Sequence, residues 1–539
     1  MTEAHLASLD LVVIGVYFTV VLGIGVWVAK RTSSGEDLFL AGRSLTWGFI
    51  GFSLFASNIS STTLIGLTGD AYRLGISVSN YEWMAGVMLV LAGFFLIPIF
   101  IRSKITTIPE LLEKRYDGRS RTYFSAVVVI SSILIDTAGG IYAGAVVLRT
   151  FFPELLPFIS DPNLDFIATC AILALVAGLY TAAGGLAAVV YTDVLQAVVL
   201  IVGSTVTAGI VFSKFGFSWS EATSELPEGH LSLVRPLGEK GVPWLGTLIG
   251  VPIIGLYYWA LNQYIVQRVL GAKDVSHARW GAMLGGALKL LPLFIMVLPG
   301  ALAYTLFPDI ERSDAVFPTL VSQLLPPGIL GLVLAGLVAA IMSSIDSTLS
   351  SASTLISVDF IKKKYPDLSN AKMRKIGSLV TIGLMVAAAA WAPVIRSFPG
   401  LWSYIQAVLS YLIPPVVAVF VVGLFWRRAN ATAAFATLIG GHALSVMVFL
   451  CANDGLVFEE APIQLHFTII CGILTAVCTL AFVALSFALG TRALREDQEE
   501  LVWTPAVARP ANTSGWLSDF RLYSAVVLIL TAGMLVVFW

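Results

Sequence analysis

Long apolar runs recur along the chain, separated by short polar stretches. Fourteen of them lie at 9–28, 46–71, 81–102, 122–149, 164–183, 186–213, 244–267, 277–305, 326–361, 376–395, 398–425, 432–452, 464–489 and 519–539. A bilayer core is crossed by a helix of about 20 apolar residues. The pattern therefore predicts an all-α polytopic membrane protein with about 14 transmembrane helices, held in one domain over 1–539.

Two runs break the pattern. In LFASNISSTTLIGLTGDAYRLG (54–75) small polar residues and glycines replace the apolar fill, and GVPIIGLYYWALNQYIVQR (250–268) carries Pro252, Gly255 and an aromatic–amide cluster. They open the second and seventh spans, five helices apart. Transporters built from two inverted five-helix repeats interrupt the first helix of each repeat there and line a midplane cavity with the unwound backbone. Expected repeats are 45–213 and 244–425, with 9–28 and 432–539 peripheral; simple kinks or packing sites would leave the same trace.

Charge orients the helices. Loops that alternate to one side hold 24 of the 32 Lys and Arg, the opposite loops 7, and Lys289 lies within a span. Positive residues stay inside, so both termini are expected outside a cell membrane. A net charge of −1 argues against nucleic acid as a partner. The four cysteines fall in apolar runs and read as small hydrophobes. With no HExxH, GxSxG or P-loop and five scattered histidines, an enzyme is not expected.

Ionisable side chains within spans are costly, and each is a candidate for function. They are Glu82, Asp136, Asp193 and Asp346 against Lys289, a sum of −4 + 1 = −3 if all are charged. Such an excess calls for mobile cations or protons. The stretch IMSSIDSTLSS (341–351) sets Ser343, Asp346, Ser347 and Ser350 on one helical face, with Ser344 beside them. Hydroxyl, carbonyl and carboxylate oxygens suit a hard cation such as Na⁺. Serines that pack helices or bond back to the preceding turn are the alternative. Asp193 also fits a cytoplasmic edge, and Asp136 a structural hydrogen bond.

Residues YTAAGGLAA (180–188), SNIS (57–60), LYYW…NQYIVQR and AAIMSSIDS (339–347) resemble the sodium:solute symporter family. SNYEWM (79–84), YYW (257–259), LKLLP (288–292) and YIQ (404–406) resemble its sodium/galactose and sodium/glucose branch. The resemblance implies a leucine-transporter-type fold with discontinuous second and seventh helices. It implies a Na⁺ site on the carbonyls of Ala56, Ile59 and Ala340 and the hydroxyls of Ser343 and Ser344. A second cation site would match Asp193, Asp346 and Ser347, with Asp346 where relatives commonly have Ser, Thr or Ala. For the substrate it implies Asn58, Thr63, Glu82, Lys289 and Gln406, with Tyr81, Tyr258 and Trp259 as gates. Thr63, Ala85 and Gly255 depart from the galactose pattern of Gln, Ser and Asn. The implied activity is sodium-coupled import of a hexose with two cations, by a unit that works as a monomer. The alternative solutes are inositol or another polyol, sialic acid, a carboxylate or an amino acid.

Overall fold

The structure is a computed structural model that describes residues 6–29, 41–153, 155–180, 186–365, 367–454, 457–490, 494–508 and 519–539. Its main helices are α1 (Ser8–Ala29), α2 (Trp47–Asn58), α3 (Ser61–Leu74), α4 (Ile76–Phe95), α5 (Gly118–Phe151), α6 (Pro162–Tyr180), α7 (Leu186–Ser213), α8 (Trp244–Leu261) and α9 (Gln263–Leu270). They continue with α10 (Val275–Leu306), α11 (Ile329–Lys362), α12 (Asn370–Trp391), α13 (Leu401–Leu412), α14 (Pro414–Phe425), α15 (Ala431–Cys451), α16 (Phe467–Ala488) and α17 (Phe520–Val537). Among the described residues ten helices are long and apolar enough to cross a membrane, or twelve when each of two bent pairs counts as one. Shorter apolar helices, Ser8–Val21 and Pro162–Val176, stand where the first and fifth runs were expected. Helices dominate because lipid offers the backbone no hydrogen-bond partner, so each spanning segment must satisfy its own amides.

The interruptions place the site. Helices α2 and α3 meet at 57°. Ile59 (φ −76°, ψ 67°) and Ser60 (φ −93°, ψ 180°) leave helical geometry between them. The Ser60 amide, which in a continuous helix would close on the Ala56 carbonyl, turns to the Asn58 carbonyl at 2.8 Å. Short polar side chains in NISS compete for backbone groups in this way.

In the seventh span the break falls at Asn262, inside the marked segment 250–268 and in its aromatic–amide part rather than at Pro252 or Gly255. Asn262 is extended (φ −73°, ψ 119°), and its side-chain oxygen accepts the Tyr264 amide at 3.1 Å, capping α9. Pro252 sits in the first turn of a helical segment, where its missing N–H is harmless. A Cβ on Gly255 would stand 2.9 Å from Met88 Cγ, so that glycine admits a neighbouring side chain. The run at 398–425 is also bent, by 55° between α13 and α14, where Pro414 and Pro415 remove two amide donors.

Helix α2 lies at the centre, packed against α7 and α10. Gly51 opposite Leu284 and Gly281 opposite Ile50 let α2 and α10 approach closely: a Cβ at either would sit 2.6 Å from its neighbour. Small residues at contacts are how membrane helices gain packing where lipid supplies no hydrophobic drive. The outcome is a core in which both broken helices are held between continuous ones.

Candidate functional site

A chamber opens beside the α2–α3 break. Its walls are Asn58, Thr62 and Thr63 at the break, Tyr81 and Glu82 of α4, and Ile135 and Asp136 of α5. Helix α8 adds Gly255, Tyr258 and Trp259, and α13 adds Trp402, Ile405 and Gln406. Seven of the eight residues expected for substrate and gates line the wall: Asn58, Thr63, Glu82, Gln406, Tyr81, Tyr258 and Trp259.

Lys289 is placed differently. Its fully buried ammonium donates to Glu82 Oε2 at 2.5 Å and to Asn58 Oδ1, and it lies 5.2 Å from the Trp259 ring centroid. It therefore holds the wall from behind rather than forming it. Thr63 likewise spends its hydroxyl on the Asn58 carbonyl.

Three buried polar atoms on chamber residues have no partner: Tyr81 Oη, Trp402 Nε1 and Gln406 Oε1. Buried polar groups left unpaired cost about 1–3 kcal/mol each, so three around one chamber point to a ligand that pairs them. Trp402 offers a donor, Gln406 an acceptor and Tyr81 either. Trp402 was not among the expected residues. Its signal was present in LWSYIQ, where Trp402 and Gln406 lie four apart on one helix face. The Tyr81 and Trp402 rings meet edge-on at 6.1 Å. Farther along α3, Asp70 accepts from Arg73 at 3.0 Å and Ser403 at 2.6 Å, tying α3 to α13.

The second constellation centres on Asp193 of α7. Its Oδ2 accepts from Ser53 at 2.8 Å and Ser57 at 3.4 Å, and its Oδ1 from Ser343 of α11 at 3.3 Å. One carboxylate thus joins α2 to the serine-bearing helix, and Asp193 is buried between them. Ser344 and Ala340 share α11 with Ser343. Asp346 is buried on that helix, and the buried Ser347 hydroxyl has no partner. The carbonyls of Ala56 and Ile59 flank the unwound turn.

Arg268 follows the apolar run 244–267, where the sequence predicts a positive inside loop, but the fold buries it. Its side chain is 2% exposed and its Nη2 stands 3.5 Å from Asp193 Oδ2. It also donates to the Tyr264 carbonyl, while the Tyr264 hydroxyl donates to the Ser57 carbonyl. Glu82 and Asp193 thus each face a cation. Asp136 makes no hydrogen bond or ion pair among the described residues and turns to the chamber, so the structural-partner alternative falls. Of the signature YTAAGGLAA, residues 181–185 lie outside the described residues.

Comparison with known proteins agrees with this geometry. The sodium:solute symporter family matches residues 38–441. The sodium/glucose cotransporter 1 of Oryctolagus cuniculus is 34% identical over 86% of this chain and 75% of its own length. The sodium/myo-inositol cotransporter 2 of the same organism is 37% identical over 81% and 69%. A substrate-bound, outward-open Na⁺-coupled sialic acid symporter superposes with a TM-score of 0.73 at 23% identity, over 91% of this chain and all of that one. Mhp1, a nucleobase–cation symporter, superposes with a TM-score of 0.53 at 16% identity over 87% of this chain. The leucine-transporter-type architecture expected from the sequence is borne out.

Proposed function

Because this chain belongs to the sodium:solute symporter family, we propose that it is a sodium-coupled symporter that imports a hexose by alternating access. The observation that carries the reading is the chamber. Unpartnered Tyr81, Trp402 and Gln406 atoms surround a space walled by Tyr258 and Trp259. An apolar ring face against aromatics, with donors and acceptors at the rim, suits a polyhydroxylated ligand whose hydroxyls both give and accept.

The two inverted repeats are 45–213 and 244–425, both termini face outward, and the protein works as a monomer that transports rather than catalyses. One sodium binds the Ala56, Ile59 and Ala340 carbonyls with Ser343 and Ser344. A second cation binds Asp193, Asp346 and Ser347. Both favour the outward-open state, and sugar then closes the Tyr81 side. Sodium release to the cytoplasm loosens α11 and lets Tyr258 swing clear.

One charge moved through 100 mV yields about 2.3 kcal/mol, and a tenfold sodium gradient about 1.4. One sodium per sugar thus supports roughly 500-fold accumulation, and a second squares it. Replacing Asp346 by Ala therefore lowers the Hill coefficient for sodium from near two towards one and cuts steady-state accumulation. An unchanged slope and gradient remove the second cation.

Inositol is the second reading. Among the relatives, a sodium/myo-inositol cotransporter shares 37% of aligned residues, and Thr63, Ala85 and Gly255 depart from the galactose pattern. The decisive experiment is uptake into proteoliposomes of labelled hexoses, inositol, sialic acid and proline. Uphill transport as strong in potassium or choline as in sodium overturns the coupling. Uptake of proline or sialic acid alone overturns the sugar.

A further inference from the structure

Asp136 is the chamber carboxylate for which the described residues supply no cationic partner. It stands in a π-helical turn, Ser132–Thr137, within α5. Such a turn accommodates an extra residue and re-aims its side chains, and it recurs at functional sites. The groups on either side are tied down. The Leu134 carbonyl accepts from the Tyr404 hydroxyl at 2.7 Å, and the Thr137 hydroxyl meets that of Thr348 at 3.1 Å. Asp136 alone is left half-buried and facing the space.

Its surroundings define what it wants. Glu82, the other carboxylate of the wall, already pairs with Lys289 at 2.5 Å. Helix α5 packs on α13 one turn away: a Cβ on Gly139 would lie 3.7 Å from Ile405 Cδ1. Ile405 is next to Gln406, whose Oε1 is buried, unpartnered and part of the same wall. This flank therefore offers a carboxylate without a counter-ion among the described residues, and an amide oxygen that accepts. A neutral hydroxyl can pair with each but brings no counter-charge to an ionised carboxylate inside the membrane, where a lone charge is costly. An ammonium group has three donors, no acceptor and the missing charge. The Trp402 N–H remains for a hydroxyl or ring oxygen.

We propose that Asp136 is a substrate-contacting residue that makes this chamber prefer a protonated amino sugar, a hexosamine, over the parent hexose. The inference rests on the reading of the chamber as a sugar site and specifies its ligand.

The test is sodium-dependent binding of tritiated glucosamine and tritiated glucose to the purified full-length protein at neutral pH, each competed by galactose, galactosamine and N-acetylglucosamine. Hexosamines should bind at least tenfold more tightly than the matching hexoses and than N-acetylglucosamine, whose nitrogen carries no charge. Asp136→Asn should erase that preference, and Asp136→Glu should keep part of it. Glucose binding with no advantage for the amine overturns this inference and leaves the sugar reading standing. The same holds for an advantage that survives Asp136→Asn. Failure of every sugar to bind removes both. The wild-type comparison needs no variant to fold.

Discussion

Among the described residues two ion pairs have both side chains buried, and they are built differently. Lys289 and Glu82 stand 2.5 Å apart, with Asn58 as a further acceptor and the Trp259 and Phe55 ring centroids 5.2 and 5.9 Å from the ammonium. Arg268 and Asp193 stand 3.5 Å apart, at the outer limit of hydrogen-bond geometry. Asp193 fills its remaining acceptor sites with the hydroxyls of Ser53, Ser57 and Ser343. Hydroxyls and a carboxylate are the ligands a hard cation takes. The chamber pair is closed on itself, whereas the Asp193 pair is surrounded by the oxygen ligands that the proposed cation would use. Buried pairs add little net stability over apolar residues, so a tight pair and a loose one reflect retention and exchange rather than two ways of holding the fold.

The largest effect comes from breaking the closed pair. Lys289→Met leaves Glu82 charged, buried and alone, and removal of one partner of a buried pair costs about 3–5 kcal/mol. Thermal unfolding of the purified variant should show this loss, and added sodium should not restore it. Adding Glu82→Gln should recover most of the stability but not sugar binding, because the wall has lost its anchored acceptor. A single variant as stable as the wild type would mean that the pair does not hold the chamber.

Breaking the loose pair should give a smaller effect that sodium reverses. Arg268→Gln strands Asp193 among hydroxyls, so the sodium-free protein loses stability. Millimolar sodium should then shift its unfolding temperature more than it shifts that of the wild type, because the guanidinium no longer competes. Asp193→Asn keeps the hydroxyl partners and removes the charge, and half-saturation by sodium should rise at least tenfold. If sodium rescues Lys289→Met and Arg268→Gln alike, the difference between the two pairs is not one of exchange.

The unequal pairs also show where sequence is a good guide. Lys289 and Glu82 were legible because each interrupts an apolar run, and a charge there demands a reason. Arg268 was not, because it ends the aromatic–amide segment NQYIVQR and reads as the first residue of a positive loop. Only the fold reveals that α9 is buried along nearly its whole length, with the guanidinium carbon 4.7 Å from the Tyr264 ring centroid. The same limit left the seventh break located to the segment 250–268 but not to a residue. Proline and glycine are conspicuous signals, but Pro252 costs nothing in a first turn, and the quieter Asn262 caps the helix that restarts. The second break was legible because NISS concentrates short polar side chains where a span should be apolar. Trp402 passed as one aromatic among 13 tryptophans, since periodicity cannot tell a ring that packs from one whose N–H awaits a ligand.

The smallest effect tests the loose site at one atom. Ser347 Oγ is buried without a partner, whereas Ser343, one turn earlier on the same face, donates to Asp193 at 3.3 Å. An unpaired buried hydroxyl is unfavourable in the sodium-free protein, so Ser347→Ala should leave sodium-free stability unchanged or raise it by up to about 1 kcal/mol. If that oxygen is held ready for a cation, the same variant should lose part of the stabilisation that sodium confers, with half-saturation a few-fold higher. Ser343→Ala removes an existing hydrogen bond as well and should lower stability both with and without sodium. A Ser347→Ala protein whose unfolding temperature follows sodium as the wild type does would make that hydroxyl a packing residue and confine the exchangeable site to Asp193 and its partners.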